Sequence, residues 1–184
     1  MYGMVNQAVR GLVIDHFGED KWNTIASKAG SPTEFASLES YDDKITYDLV
    51  DAASEVLEME GHSILQTFGR YWIEKIATAH YPSLMSKTGT SFDRFVANLD
   101  HLHSRIQATF PKYTPPSFRV KPIEEGVILV DYYSEREGLL PFVEGLFDGV
   151  GHHFDVEVTL EHIPDEDHPM PCKRMKLTYR DLHS

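Results

Sequence analysis

Two segments, Ser91–Phe110 (SFDRFVANLDHLHSRIQATF) and Val127–Arg136 (VILVDYYSER), contain the patterns that decide the fold. In the first segment apolar residues recur every three or four positions, which is typical of one helix face, and Ser91 suits the N-cap position. The second segment is rich in β-branched and aromatic residues, which predicts a strand. The change of period falls at Pro115-Pro116, so we predict a helical part followed by a part that contains a sheet.

The helical spacing continues toward the N-terminus, and the C-terminal third alternates between helix and strand. Apolar stripes predict four helices, over residues 5–16, 22–29, 43–57 and 64–76. Beyond residue 136 we predict a helix over Leu139–Phe154 and strands over Val156–Leu160 and Arg174–Tyr179, the two strands joined by an acidic hairpin loop, Pro164–Pro171. We therefore predict one α+β domain over residues 1–184, with a helical N-terminal subdomain packed against an antiparallel sheet with helices.

Composition excludes several classes of protein. The chain has 17 basic and 29 acidic residues and a net charge of −12, which argues against binding to nucleic-acid phosphates. No segment approaches the roughly 18 apolar residues of a membrane span, and no secretory signal is visible, so we expect no membrane association and a cytoplasmic location.

The chain has one cysteine, Cys172, which excludes an intramolecular disulfide and a zinc site built from several thiolates. We interpret Cys172 as a half-buried strand residue. A metal site that it shares with His162 or His168 stays open as an alternative.

His103 is the first residue that departs from its surroundings. It lies in the apolar stripe of the predicted helix, four residues after Leu99 and three before Ile106, whereas His101 falls on the opposite, solvated face. A histidine in such a stripe is either a hydrogen-bonded core residue or a metal ligand.

The end of the strand is the second departure. Side chains alternate along a strand, so Tyr132, Ser134 and Arg136 are expected on one face, where hydroxyls and a guanidinium replace apolar residues. Such a set suits a planar carboxylate, although a strand end that emerges into solvent would look similar. Taken together with His103, the set makes haem a candidate ligand, because haem needs an axial nitrogen, a dry pocket and partners for its propionates.

These residues resemble the H-NOX family, the haem nitric oxide/oxygen binding domains, over nearly the whole chain. The family includes bacterial stand-alone sensors and the haem domain of soluble guanylate cyclase. The matching motifs are Met-Tyr-Gly at residues 1–3, Tyr-Asp-Asp at 41–43, Phe-Gly-Arg-Tyr-Trp at 68–72, Asn-Leu-Asp-x-x-His at 98–103, Pro-Pro-Ser-Phe at 115–118 and Tyr-x-Ser-x-Arg at 132–136.

The resemblance implies haem b, iron protoporphyrin IX, buried between the helical subdomain and the sheet. It implies His103 as the iron ligand, a propionate clamp of Tyr132, Ser134 and Arg136, and Pro116 as the residue that presses the macrocycle out of plane. The same resemblance assigns five residues to the distal pocket: Val5, Trp72, Ile76, Phe142 and Leu146.

Phe142 stands where oxygen-binding members of the family have a tyrosine that donates a hydrogen bond to the gas. A missing donor disfavours dioxygen by one to three kcal/mol, roughly one to two decades of affinity, whereas nitric oxide needs no such help. We therefore expect a nitric oxide and carbon monoxide sensor. A dioxygen sensor that uses the indole N–H of Trp72 is the alternative.

The resemblance also implies a two-state switch in which nitric oxide weakens the bond between iron and His103, so that its helix shifts against the sheet. The sequence contains no phosphate loop, kinase motif or cyclase domain, so we expect a sensor that is not an enzyme and that signals to a histidine kinase or a diguanylate cyclase. A peroxidase-like haem enzyme and a haem-binding carrier or interaction module without gas signalling are the competing classes.

Overall fold

The computed structural model describes residues 1–164 and 172–183 and confirms an α+β fold. Helices come first along the chain, and a four-stranded antiparallel sheet with one further helix follows. The helical elements are α1 (Gly3–Phe17), α2 (Glu19–Ala29), α3 (Asp43–Leu57), α4 (Gly61–Tyr71), a π-helical turn (Trp72–Ala77), α5 (Thr78–His80), α6 (Pro82–Thr88), α7 (Phe92–Ala97), α8 (Leu99–Thr109) and α9 (Leu140–His153). The strands are β1 (Ser117–Glu124), β2 (Val127–Tyr133), β3 (Val156–Ile163) and β4 (Lys173–Asp181).

The first three helices agree with the predicted stripes, and local signals set their ends. Gly18 ends α1 and Gly30 ends α2, both with positive φ angles (85° and 61°) that glycine adopts without strain. Asp42 caps α3 by accepting a hydrogen bond from the backbone N–H of Lys44 at 2.9 Å.

Two predicted helices are interrupted in the structure. The helix predicted over residues 64–76 changes to π-helical geometry at Trp72, a feature that the apolar spacing does not reveal. The helix predicted over Ser91–Phe110 is wrong as a single element, because α7 and α8 are separated at Asn98 (φ −100°, ψ 10°). The Asn98 side chain donates to the backbone carbonyl of Thr88 at 2.8 Å, so a contact outside the helix stabilises the break. Ser91 holds the N-cap position, but its hydroxyl donates to Asp93 instead of accepting a capping hydrogen bond.

The sheet has the order β1-β2-β4-β3, with all neighbours antiparallel. Strand β1 was not predicted, since it is an edge strand with Pro122 in it and one buried side chain, that of Phe118. The strand predicted over Val127–Arg136 corresponds to β2, and its predicted C-terminal end is wrong. Strand β2 ends at Tyr133, opposite the first residue of β1. The hairpin loop predicted over Pro164–Pro171 lies outside the described residues from position 165 onward.

Two hydrophobic clusters form the interior. One joins α1–α4, and the other joins the sheet, α7, α9 and the π-helical turn; Trp72 packs against both clusters. Helices α4 and α9 cross at glycines: a Cβ on Gly69 would lie 2.1 Å from the Phe142 carbonyl oxygen, and one on Gly145 would lie 2.0 Å from that of Gln66. The close crossing places Phe142 beside Phe68, with their ring centroids 5.0 Å apart. Within residues 1–164 and 172–183, no helix combines the length and the apolar character that crossing a bilayer requires.

Candidate functional site

Helix α8 presents His103 to the interior and His101 to solvent, as their positions in the sequence predict. The His103 ring stacks on Phe118 of β1, with centroids 5.5 Å apart and planes at 15°, and lies 6.3 Å from the Tyr113 ring. Its Nδ1 atom is buried and has no hydrogen-bond partner in the described part of the chain. A buried polar atom without a well-formed hydrogen bond is costly, so this imidazole is poorly satisfied within the described part of the chain.

Burial lowers the pKa of His103 to about 4, and the Asp100 charge and the Leu99 carbonyl oppose this shift only in part. The Leu99 carbonyl raises the pKa of His103 because it lies near the ring, although its position relative to Nδ1 is not that of a well-formed hydrogen bond. At neutral pH the ring is therefore uncharged, which is the form that binds a metal ion through a nitrogen lone pair.

Asp100 joins the helix of His103 to the sheet. Its carboxylate accepts from the backbone N–H of Phe118 at 2.7 Å and from the Ser117 hydroxyl at 3.3 Å. The start of β1 is thus bonded to the turn of α8 that precedes His103. Pro116 is half-buried and lies immediately before these two residues.

Tyr132, Ser134 and Arg136 do come together, but by a different route from the one predicted. Tyr132 faces the core with Ile128 and Val130, as strand alternation requires. Ser134 lies beyond the end of β2 and is exposed, and the chain bends there. The bend brings the Ser134 hydroxyl to the Tyr132 side chain and to the backbone N–H of Arg136, which donates to it at 3.0 Å.

The Arg136 side chain has partners that the sequence did not reveal. Its Nε donates to Asp43 at 2.6 Å, and a terminal nitrogen donates to the Thr114 carbonyl at 2.8 Å. The α-amino group of Met1 pairs with the same Asp43 carboxylate. Burial alone would raise the pKa of Asp43, but the hydrogen bonds from the α-amino group and Arg136 bring it below its usual value of 3.8. In the sequence, the only indication of this pairing is that Asp43 belongs to the Tyr-Asp-Asp motif.

The five residues assigned to the distal pocket are all half-buried and apolar, and each packs against at least one of the two hydrophobic clusters. Val5, Ile76 and Phe142 pack against the N-terminal cluster, Leu146 packs against the cluster of the sheet, and Trp72 packs against both. Phe68 links two of them, because its ring lies 5.0 Å from Phe142 and 6.2 Å from Trp72.

This donor set fits haem. An uncharged imidazole with an unsatisfied nitrogen suits iron, and a guanidinium with two neighbouring hydroxyls suits carboxylates. The half-buried apolar residues that pack against the two clusters suit the macrocycle. Among the described residues, no three His, Cys, Asp or Glu side chains are arranged to hold an ion. Cys172 is half-buried just before β4, His162 bonds to Glu144 at 2.7 Å, and His168 lies outside the described residues.

Comparisons with known proteins agree with this chemistry. The family model for haem-NO-binding domains matches residues 2–162. Soluble guanylate cyclase gcy-32 of Caenorhabditis elegans is 31% identical over 165 residues, which are 87% of this chain and 24% of the cyclase. Soluble guanylate cyclase gcy-35 of the same organism is 30% identical over 166 residues, with 88% and 24% covered. The chain thus spans about a quarter of the length of these relatives.

Solved structures share the fold. An H-NOX protein from S. oneidensis in the Fe(II)NO state superposes with a TM-score of 0.85 and 19% identity over 98% of this chain and all of the other. A mutant of the H-NOX protein from K. algicida, in the unliganded Fe(II) state, gives a TM-score of 0.84 and 19% identity, with 99% of this chain and 98% of the other covered. From its sequence, its fold and the chemistry of its site, the chain belongs to the haem-NO-binding, or H-NOX, family of haem gas-sensor domains.

Proposed function

We propose that this chain senses nitric oxide and carbon monoxide in the cytoplasm through ferrous haem b, and that it excludes dioxygen. His103 would hold the iron, and Tyr132, Ser134 and Arg136 would hold the haem carboxylates, with Pro116 beside the macrocycle. When bound, the haem supplies the iron atom at which the gas binds. The proposal rests above all on the half-buried, uncharged imidazole of His103, whose Nδ1 has no partner in the described part of the chain.

The choice of gas follows from Phe142. Its ring packs on Phe68 and offers no hydrogen-bond donor, so a polarised dioxygen ligand would gain nothing from it. Trp72 supports the second candidate, a dioxygen sensor, because its indole N–H donates to no acceptor in the described part of the chain. The Trp72 ring packs on Phe68 with the two planes at 84°. Because Phe68 also packs on Phe142, Trp72 and Phe142 share this neighbour.

Signalling would use the connection between α8 and the sheet. A displacement of His103 moves the turn that contains Asp100, and Asp100 bonds directly to the first residues of β1. The sheet and α8 would then change position together, and a partner protein would detect the change. We propose a histidine kinase or a diguanylate cyclase as that partner.

Absorption spectra of the reduced, haem-loaded protein under argon, nitric oxide, carbon monoxide and air test the choice of gas. We expect shifted Soret bands with nitric oxide and with carbon monoxide, and no stable change in air. A stable oxygenated spectrum in air that disappears in W72F would establish the dioxygen sensor instead.

The variant H103G tests the iron ligand. It should lose the wild-type Soret spectrum and regain it when free imidazole is added, because the small molecule occupies the space that the side chain leaves. H101G, which changes the solvated histidine on the opposite face of α8, is the matched control and should keep the wild-type spectrum. An unchanged spectrum in H103G would contradict the assignment.

The choice of partner can be tested with purified enzymes. Candidate kinases and cyclases are assayed with the reduced protein and with its nitric oxide complex. We expect one of them to change activity between the two forms of the wild type. H103G loaded with haem in the presence of imidazole should produce no such difference, because its helix is no longer tethered to iron.

A further inference from the structure

We propose that Tyr113 is an additional haem-positioning residue, whose hydroxyl donates to a haem carboxylate beside Arg136. The inference rests on the proposed function, since it names one more partner for the same ligand. Tyr113 belongs to none of the motifs that link the chain to its family.

The backbone around Tyr113 is held in place from three directions. The Tyr113 N–H donates to the Phe110 carbonyl at 2.9 Å and so closes a turn after α8. The Gln107 side chain donates to the Tyr113 carbonyl at 3.4 Å. The next carbonyl along the chain, that of Thr114, accepts from the Arg136 guanidinium at 2.8 Å. These bonds fix Tyr113 between the helix of His103 and the Arg136 side chain.

The Tyr113 side chain occupies the region between the candidate iron ligand and the candidate clamp. Its ring lies 6.3 Å from the His103 ring, with the planes at 47°. Its hydroxyl lies within electrostatic range of both Arg136 and Tyr132. Tyr113 is thus adjacent to both ends of the site, although no pattern in the sequence singled it out.

The phenol is suited to donate a hydrogen bond. Burial raises the pKa of Tyr113 to about 12, although the Arg136 charge opposes this shift. The hydroxyl therefore keeps its proton at neutral pH and is a donor beside a guanidinium. A carboxylate that approaches Arg136 meets this second donor, and hydrogen bonds to a charged group are the stronger kind.

A cycle that combines a protein variant with a modified ligand tests this role. Wild type, Y113F, Y113L and Y133F are each loaded with iron protoporphyrin IX or with its dimethyl ester, which lacks the carboxylate charge. The rate of haem loss to a haem-free globin scavenger is then measured. Tyr133 is the matched control, because it follows Tyr132 directly but points to the opposite face of β2.

We expect Y113F to lose iron protoporphyrin IX about tenfold faster than wild type, as the loss of one bond to a charged group predicts. With the dimethyl ester, Y113F and wild type should differ by less than about twofold, since the charged acceptor is gone in both. Y113L should lose both ligands faster, because the ring beside His103 is also removed. Y133F should match wild type throughout.

Three results would overturn the inference. Equal rates for Y113F and wild type with iron protoporphyrin IX would show that the hydroxyl does not contact the ligand. The same tenfold defect with both ligands would show that Tyr113 acts only through packing. An unchanged carboxylate bending band in the resonance Raman spectrum of Y113F would exclude the hydrogen bond. A wild type that binds no haem would instead refute the proposed function itself.

Discussion

The charge pairing and the orientation of individual side chains in this protein depend on partners from distant parts of the sequence. The Asp43 carboxylate is shared between the α-amino group of Met1 and the Arg136 side chain, which lies 93 positions further along the chain. The pairing links the start of the chain and the beginning of α3 to the candidate carboxylate clamp. A carboxylate from haem would therefore meet an Arg136 that is already oriented by Asp43 and by the Thr114 carbonyl.

The first prediction concerns the pH dependence of stability at Asp43. Because the folded-state pKa of Asp43 is below 3.8, the folded state binds fewer protons than the unfolded state as the pH falls below about 4. The stabilisation from the ionised carboxylate is therefore complete above the unfolded-state pKa and is lost as the pH falls through the folded-state pKa. D43N should lower the free energy of unfolding by about 1 kcal/mol at pH 6, a modest value because the carboxylate is partly exposed.

Urea unfolding of haem-free wild type and D43N at pH 6, 5, 4 and 3 checks this prediction. The difference between the two proteins should stay constant down to pH 5 and shrink below pH 4. D51N is the control, since Asp51 is exposed on the same helix and should show a small difference at every pH. A difference that grows toward acid would contradict the direction of the shift.

The second prediction concerns gas selectivity at Phe142. F142Y adds one hydroxyl donor among the residues assigned to the distal pocket, which should raise dioxygen affinity by about one to two decades. Oxygen titration of the reduced, haem-loaded variant measures the gain. F142L, which removes the ring and adds no donor, should bind no more dioxygen than wild type. Equal affinities in F142Y and F142L would contradict the role of this position.

The elements that shape the site are held together by the crossing of α4 and α9. Gly69 on α4 and Gly145 on α9 let the two backbones touch, and Gly149 on α9 continues the contact against Ile73. The crossing sets the spacing between Trp72, in the π-helical turn that follows α4, and Leu146 on α9. π-Helical turns of this kind are often found at functional sites.

The third prediction tests this crossing with G145A. The added Cβ would lie 2.0 Å from a backbone carbonyl oxygen, so the helices must separate, at a cost of about 3 kcal/mol in the free energy of unfolding. Urea unfolding measures the cost. G61A is the matched control, because no atom lies within 4 Å of its Cβ and it should change stability by less than about 1 kcal/mol. Equal stabilities for the two variants would contradict a close crossing.

Taken together, the helices and the sheet form two hydrophobic clusters that meet at Trp72. Trp72 packs against both clusters, so a ligand bound at the junction would contact residues of each. A ligand that binds only the folded protein stabilises it by mass action. Haem binding should therefore stabilise both clusters of the folded protein against unfolding.

The fourth prediction is that haem raises the melting temperature. Free haem at a hundredfold excess over its Kd should add about 2.7 kcal/mol, and this corresponds to a shift of roughly 5–10 °C for a protein of this size. Thermal unfolding followed by circular dichroism, with and without haem, measures the shift. R136A should show a smaller shift at the same haem concentration, because one carboxylate partner is missing. Identical melting temperatures with and without haem would refute the proposed function.

Local patterns were sufficient for much of this protein. Apolar stripes and glycine ends defined α1 and α2, strand alternation placed Tyr132 with the core, and the helical period separated His103 from His101. Each of these features depends on neighbours within a few positions, which a sequence displays directly. The family motifs also selected His103, Tyr132, Ser134 and Arg136 as candidate site residues.

Other features arise from contacts between distant parts of the chain, and no local period encodes them. Asn98 interrupts a helix because its side chain reaches the Thr88 carbonyl, and β2 ends where its neighbours β1 and β4 no longer pair with it. The pairing of Asp43 with Arg136 and the position of Tyr113 between His103 and Arg136 likewise require the folded chain. Periodicity reports which way a side chain faces, whereas its partner is decided when separate elements pack together.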